Sequence, residues 1–246
     1  MWSTIRTIAN LTGIGLMFMI SMQGCMTNPA SLSARDALAL SASALSGSES
    51  YQFAGEVSVL DPGGVVGGRA AYKGEVTMHG KLDMQWKTPT GISQSSINEK
   101  TITYRPLQLL ESVKATNATI SYVEEPSSDR PIRMQIKLDD VTAKERVVKQ
   151  LKEEFTLLRA DKDLLRGDPV KAEEVLRTSE ARLEKALTTL KVSTVCQWTA
   201  NPKSWFPSRL KEETELSYDW NGKPCKEKRI SETNFILKGQ GGTMKK

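Results

Sequence analysis

From Tyr72 to Trp86 the apolar side chains keep one parity. Tyr72, Gly74, Val76, Met78, Gly80, Leu82, Met84 and Trp86 fall on even positions, and Lys73, Glu75, Thr77, His79, Lys81, Asp83, Gln85 and Lys87 on odd ones. Strand side chains point alternately to opposite faces, so this stretch reads as strand with one buried and one wetted side. A two-residue turn at His79-Gly80 would set Met78 opposite Lys81 and move the apolar set to the other face halfway. Unbroken parity therefore predicts one long strand over 70–87, about 50 Å in length. It should bend at Gly74 and Gly80, where no side chain resists curvature. A long bent strand belongs in a sheet that wraps around something.

Weaker versions of the pattern recur. Tyr51, Phe53, Gly55, Val57 and Val59 alternate with Gln52, Glu56 and Ser58, and Asp61 to Gly68 is a Pro/Gly loop. Residues 92–104 suggest one or two polar strands through Ile97, Ile102 and Tyr104. Ala118, Ile120 and Tyr122 form another, and 125–131 is a connector. Ile132, Met134, Ile136 and Leu138 alternate strictly with Arg133, Gln135, Lys137 and Asp139. Near the end, Val192, Thr194, Cys196 and Trp198 alternate, then Leu210, Thr214, Leu216, Tyr218 and Trp220. Asn221-Gly222 is the strongest short hairpin signal, because a type I′ turn needs positive φ at both central residues. The return strand should reach Leu237.

Helical stretches separate these strands. Ser33 caps the first, with Asp36 completing a capping box. Ala37, Leu38, Ala44 and Leu45 make its apolar stripe, Ser41 and Ser43 lie outside it, and Gly47 ends it. Arg105-Pro106 starts a short helix carrying Leu107, Leu110 and Val113. Thr142-x-x-Glu145 reads as a second capping box before Val147, Val148, Leu151, Phe155 and Leu158. Residues 159–167 break the run. Asp168-Pro169 restarts it, with Val175, Leu176, Ser179, Leu183, Ala186, Leu187 and Leu190 on one side.

The N-terminus says where such a chain works. One early base (Arg6), an apolar run from Leu11 to Met22 and the small-residue step Gln23-Gly24-Cys25 describe a secretory signal. The run is short and Gly-rich for a membrane-spanning helix of about 20 residues. The step resembles the lipobox of bacterial lipoproteins, in which the cysteine is acylated and becomes residue one. Gly24 and Cys25 match it, while Met22 and Gln23 depart from the usual residues. The expectation is a signal over 1–24 and a lipidated tether over 25–33 attached at Cys25. One domain should follow over 34–238 with a tail over 239–246, held on the extracytoplasmic face of a cell membrane. Of 246 residues, 39% are hydrophobic and 26% charged, which is globular. The net charge of +5 is spread evenly, with no basic block for nucleic acid and a mild excess suited to anionic headgroups.

The order of elements predicts an α+β fold, a long curved antiparallel meander with helices between its strands. On the residues Tyr51-Gln-Phe-Ala-Gly-Glu-Val57, Arg105-Pro-Leu-Gln-Leu-Leu110 and the stretch from Trp205 to Lys223, the chain resembles the LolA/LppX-like superfamily of envelope lipoproteins. That resemblance implies a half-barrel wrapped around a few helices, with a concave apolar surface for acyl chains or an apolar peptide. The residues agree in kind: the inner face would carry Met78, Leu82, Met84, Trp86, Met134, Tyr218 and Trp220, an adaptable lining.

Chemistry of other kinds finds few candidates. One histidine (His79) and two distant cysteines make no zinc site, so neither metal nor cofactor is expected. No Gly-x-Ser-x-Gly elbow occurs, and the glycine run at 63–68 lacks the Lys-Ser/Thr of a phosphate loop. An enzyme is not expected. Two functions remain: a membrane-anchored protein that binds a lipid or other apolar ligand, or an adaptor that binds or activates a cell-envelope enzyme, for example in a spore envelope. Cavity volume separates them. Cys196 and Cys225 should share a face without forming an unstrained disulfide. The meander puts them two strands and about six residues apart, roughly 20 Å, where a disulfide needs Cα atoms within ~7 Å.

Overall fold

The computed structural model describes residues 29–77, 81–87, 113, 118–161 and 168–237. After a 3₁₀ turn (Pro29–Ser31) come α1 (Ala34–Ser46), β1 (Tyr51–Leu60), β2 (Val66–Thr77), β3 (Lys81–Lys87), β4 (Thr119–Tyr122) and β5 (Ile132–Lys137). Two long helices follow, α2 (Asp140–Arg159) and α3 (Pro169–Thr189), then β6 (Lys191–Ala200), β7 (Pro207–Trp220) and β8 (Lys223–Leu237). The strands form one open, curved, antiparallel sheet in the order β3-β2-β1-β8-β7-β6-β5-β4. This is the α+β fold that the order of elements predicts and the half-barrel that the resemblance implies. The signal, Cys25, Met78, His79, the strands proposed within 92–104, most of the Pro106 helix and the tail lie outside the described residues.

The central prediction about 70–87 is wrong. β2 and β3 are separate antiparallel strands, paired Val76 to Leu82, Gly74 to Met84 and Tyr72 to Trp86. Three residues separate Thr77 from its partner Lys81. A connection of odd length returns the chain with its parity intact, so the apolar set stays on one face across a reversal. Gly74 has a different role from the bend assigned to it. A Cβ there would stand 2.4 Å from the Phe53 ring and 2.7 Å from the Asp83 carbonyl oxygen. The missing side chain is the space that Phe53 occupies.

The register carries the inner face across the whole sheet. Tyr72, Gly55, Thr233, Leu210, Trp198, Met134 and Tyr122 lie in one row, from β2 to β4. α1 crosses this face against β4 and β7, α2 packs on β6 and α3 on β7. Trp198, Met134, Ile136, Leu210 and Leu45 are buried at its centre. Tyr51 stacks edge-on to Phe206 and Phe235, and burial pushes its phenol up to about 12. The opposite face is polar, cross-linked by ion pairs such as Lys228 to Glu213 and Arg209 to Glu232.

The ends of the helices test the capping predictions. Ser33 accepts from the Asp36 N–H and Asp168 from the Lys171 N–H, as expected, and Gly47 caps α1 at its C-terminus. Thr142 is not a cap. α2 starts three residues earlier, on Asp139, whose carboxylate accepts both the Thr142 N–H and the Thr142 hydroxyl. Asp139 caps without a capping box, since Thr142 and not Glu or Gln stands three residues on, and its carboxylate offers two acceptors. In α1, Ser41 is buried rather than outside, accepting a 2.8 Å hydrogen bond from Trp198 Nε1, while Ala42 is more buried than Ala44. Asn221 and Gly222 have φ of 53° and 78°, the expected type I′ turn.

Candidate functional site

At the end of the sheet where β7 turns into β8, the inner face is only partly covered. β7 places Leu216, Tyr218 and Trp220 there, and β8 places Glu227 and Arg229 opposite Leu216 and Thr214. α3 crosses above with Leu183, Ala186 and Leu187, within about one turn of each other, and Leu190 ends it. Leu151 of α2 completes the wall. Between them lies a groove of about 110 Å³.

Among the described residues, the helical pair above the groove is anchored to the sheet at one end. The antiparallel partners α2 and α3 meet the sheet through Ala143 and Val147 near the start of α2 and Ala186 and Leu187 near the end of α3. Their far halves are held to each other by Arg159 with Glu173 and Glu180, and by Lys152 with Glu184. Val175 and Leu158, expected to pack on a core, are largely exposed there.

The rim is polar. Arg229 Nε donates to Glu227 Oε1, and the two side chains are 29% and 20% exposed. The Tyr218 hydroxyl is held above its usual range by burial first and then by the Glu227 charge. Deeper along the same face, Arg146 of α2 forms a two-pronged pair with Glu212 of β7, both contacts 2.8 Å. Thr214 donates to Glu212, and the Thr194 and Thr214 hydroxyls are 3.0 Å apart. This buried pair ties α2 across β6 to β7.

The predicted lining residues separate into three groups. Tyr218 and Trp220 line the groove. Met134 is fully buried in the central core, and Met84 packs against that core at the β3 edge. Leu82 is 43% exposed at the same edge. Trp86 pairs with Tyr72 by register, and Met78 is outside the described residues. Of the five whose side chains are described, Tyr218 and Trp220 share the groove and Met134, Met84 and Leu82 lie elsewhere. Glu212, Glu227 and Arg229 were not anticipated, although a signal was present. Glu212 shares the parity of Leu210 and Leu216, and a charge on a buried parity demands a partner.

Both described cysteines are free. Cys196 sits opposite Glu212, Glu212 opposite Ser231, and Cys225 lies six residues from Ser231 along β8, the separation that the meander predicts. Burial, then the Glu212 charge, pushes the Cys196 thiol well up, so it is a poor nucleophile. Cys225 is half-exposed opposite Tyr218.

No protein-family model matches the chain, and no curated protein does. Among solved structures, a LolA superfamily protein from Nitrosomonas europaea is 8% identical, with 85% of this chain and 96% of that one covered and a TM-score of 0.23. The acyl-CoA thioesterase II TesB2 of Mycobacterium marinum is 10% identical over 78% and 82%, with a TM-score of 0.14. Superpositions this loose carry no argument about function.

Proposed function

We propose that the protein is a membrane-anchored, extracytoplasmic, non-enzymatic lipoprotein, attached through Cys25, that binds a lipid or other apolar ligand on the inner face of its half-barrel. One observation carries the binding role: the groove, whose walls are five leucines, Ala186, Tyr218 and Trp220. An apolar concavity closed on one side by a helical pair suits an unbranched chain. Native mass spectrometry of the full chain purified from membranes tests it. A co-purifying apolar species, lost on Leu183→Asp, is the expected result, and a spectrum of bare protein in both cases overturns it.

The adaptor reading has one observation in its favour. At about 110 Å³ the groove is smaller than the 300 Å³ at which ligand pockets typically begin. It would hold one side chain of a partner as readily as part of a lipid. Cross-linking through a photoreactive group at Trp220 separates the readings, since the adaptor yields a protein adduct.

A further inference from the structure

We propose that the groove is a subsite for a single-chain anionic amphiphile, with the chain on the leucines and the oxyanion head on Arg229. The inference rests on the reading that the groove binds an apolar ligand, and names what that ligand carries at its end.

Three features of the groove point to it. Its polar wall is Glu227 and one guanidinium, that of Arg229. Glu227 holds Nε, which fixes the plane of the Arg229 side chain, and among the described residues the two terminal nitrogens make no hydrogen bond. An arginine held along one edge presents the other as a fork of two donors, the geometry that carboxylates and phosphates accept. The wall offers more donors than acceptors, because one oxygen of Glu227 is committed to Nε. That favours an oxyanion over an ammonium.

Burial sharpens the preference. Arg229 is 29% exposed, so its charge is partly dehydrated, and an ion bond there counts for more than one on the surface. The second feature is the position of the charge: β8 sets Arg229 and Glu227 across from Thr214 and Leu216, in a groove that the leucines of α3 also line. A head on one wall therefore leaves its chain against the other.

Size is the third feature. A dry cavity of about 150 Å³ takes one benzene. The groove, at about 110 Å³, has room for part of one chain and not for two. The remainder would leave past Trp220, which is 39% exposed at the mouth.

The test titrates the full chain with decanoate, decanol and decyltrimethylammonium below their micellar concentrations and follows tryptophan emission. Trp220→Phe identifies the part of the signal that comes from the groove. Decanoate should bind at least about tenfold more tightly than decanol, the scale of a charge-assisted hydrogen bond. Arg229→Met should erase that difference and leave decanol unchanged. Arg229→Lys, which keeps the charge but loses the fork, should retain part of it, and serves if the methionine variant does not fold. Equal affinity for decanoate and decanol, or tighter binding of the ammonium, overturns the oxyanion subsite and leaves an apolar groove standing. No saturable change with any of the three overturns the groove reading as well.

Discussion

Trp198 and Trp220 point to the same side of the same sheet, from adjacent strands, and lead different lives. Trp198 is fully buried, stacked at 6.0 Å from the Phe235 ring, with its indole N–H donated to Ser41. Trp220 is 39% exposed at the lip of the groove. The difference lies in what lies above each. α1 sits close over the first, with alanines at 37 and 42 that let the helix approach, whereas α2 and α3 are pinned at one end over the second. One end of the inner face is therefore closed by α1, and the other retains a groove of about 110 Å³.

The largest expected effect breaks the packed end. Trp198→Ala should cost about 3–5 kcal/mol by chemical denaturation, through lost burial and a cavity that α1 cannot collapse into. Next, Glu212→Ala should cost about 3 kcal/mol, because Arg146 would be left charged and nearly buried without its partner. Replacing both by leucine and methionine should recover most of that loss. A double variant no better than the single one would mean that the pair does more than fasten α2. Leu187→Ala, at the boundary between the two ends, should cost about 2 kcal/mol and enlarge the groove. Trp220→Ala should move stability by no more than about 0.5 kcal/mol while abolishing apolar-ligand binding. Comparable losses for the two tryptophans would erase the distinction between the ends.

Two smaller effects sharpen it. In native protein a thiol reagent should modify Cys225 and leave Cys196 untouched until unfolding, read by mass spectrometry of peptides. Acid should loosen the helical cover through Asp139, whose carboxyl is held below its usual range by the Thr142 hydroxyl and then by the Thr142 amide. A lowered folded-state pKa contributes stability that is full above the unfolded value and fades as pH falls through the folded one. Asp139→Asn should therefore flatten the acid limb of stability against pH, and an unchanged limb would remove Asp139 from this role.

Several elements were legible in the sequence because their causes are local. Asn221-Gly222 specifies its turn by backbone sterics, and that turn sets Tyr218 opposite Cys225. From that register Glu227 and Arg229 could have been placed opposite Leu216 and Thr214. The alternation within 72–76 and 82–86 correctly reported which positions share a face, and misled about the path of the chain. Parity is blind to a reversal of odd length, so one strand and a hairpin leave the same trace. Ser41 was misplaced for a related reason. A serine on a helix is inside or outside according to whether a donor stands above it, and Trp198 lies 157 residues away.

The chain by itself determined which stretches alternate, the capping at Ser33 and Asp168 and the turn at Asn221, because each follows from neighbours within a few residues. Tertiary structure alone decided which apolar side chains became core and which became groove. Met134 and Tyr218 sit on the same face with the same periodicity, and no local signal distinguishes them. What distinguishes them is the height of the helix overhead, set by small residues in α1, by one buried ion pair beneath α2 and by where α3 meets β7. Those are contacts between residues far apart in the chain, and periodicity carries no information about distance above the sheet.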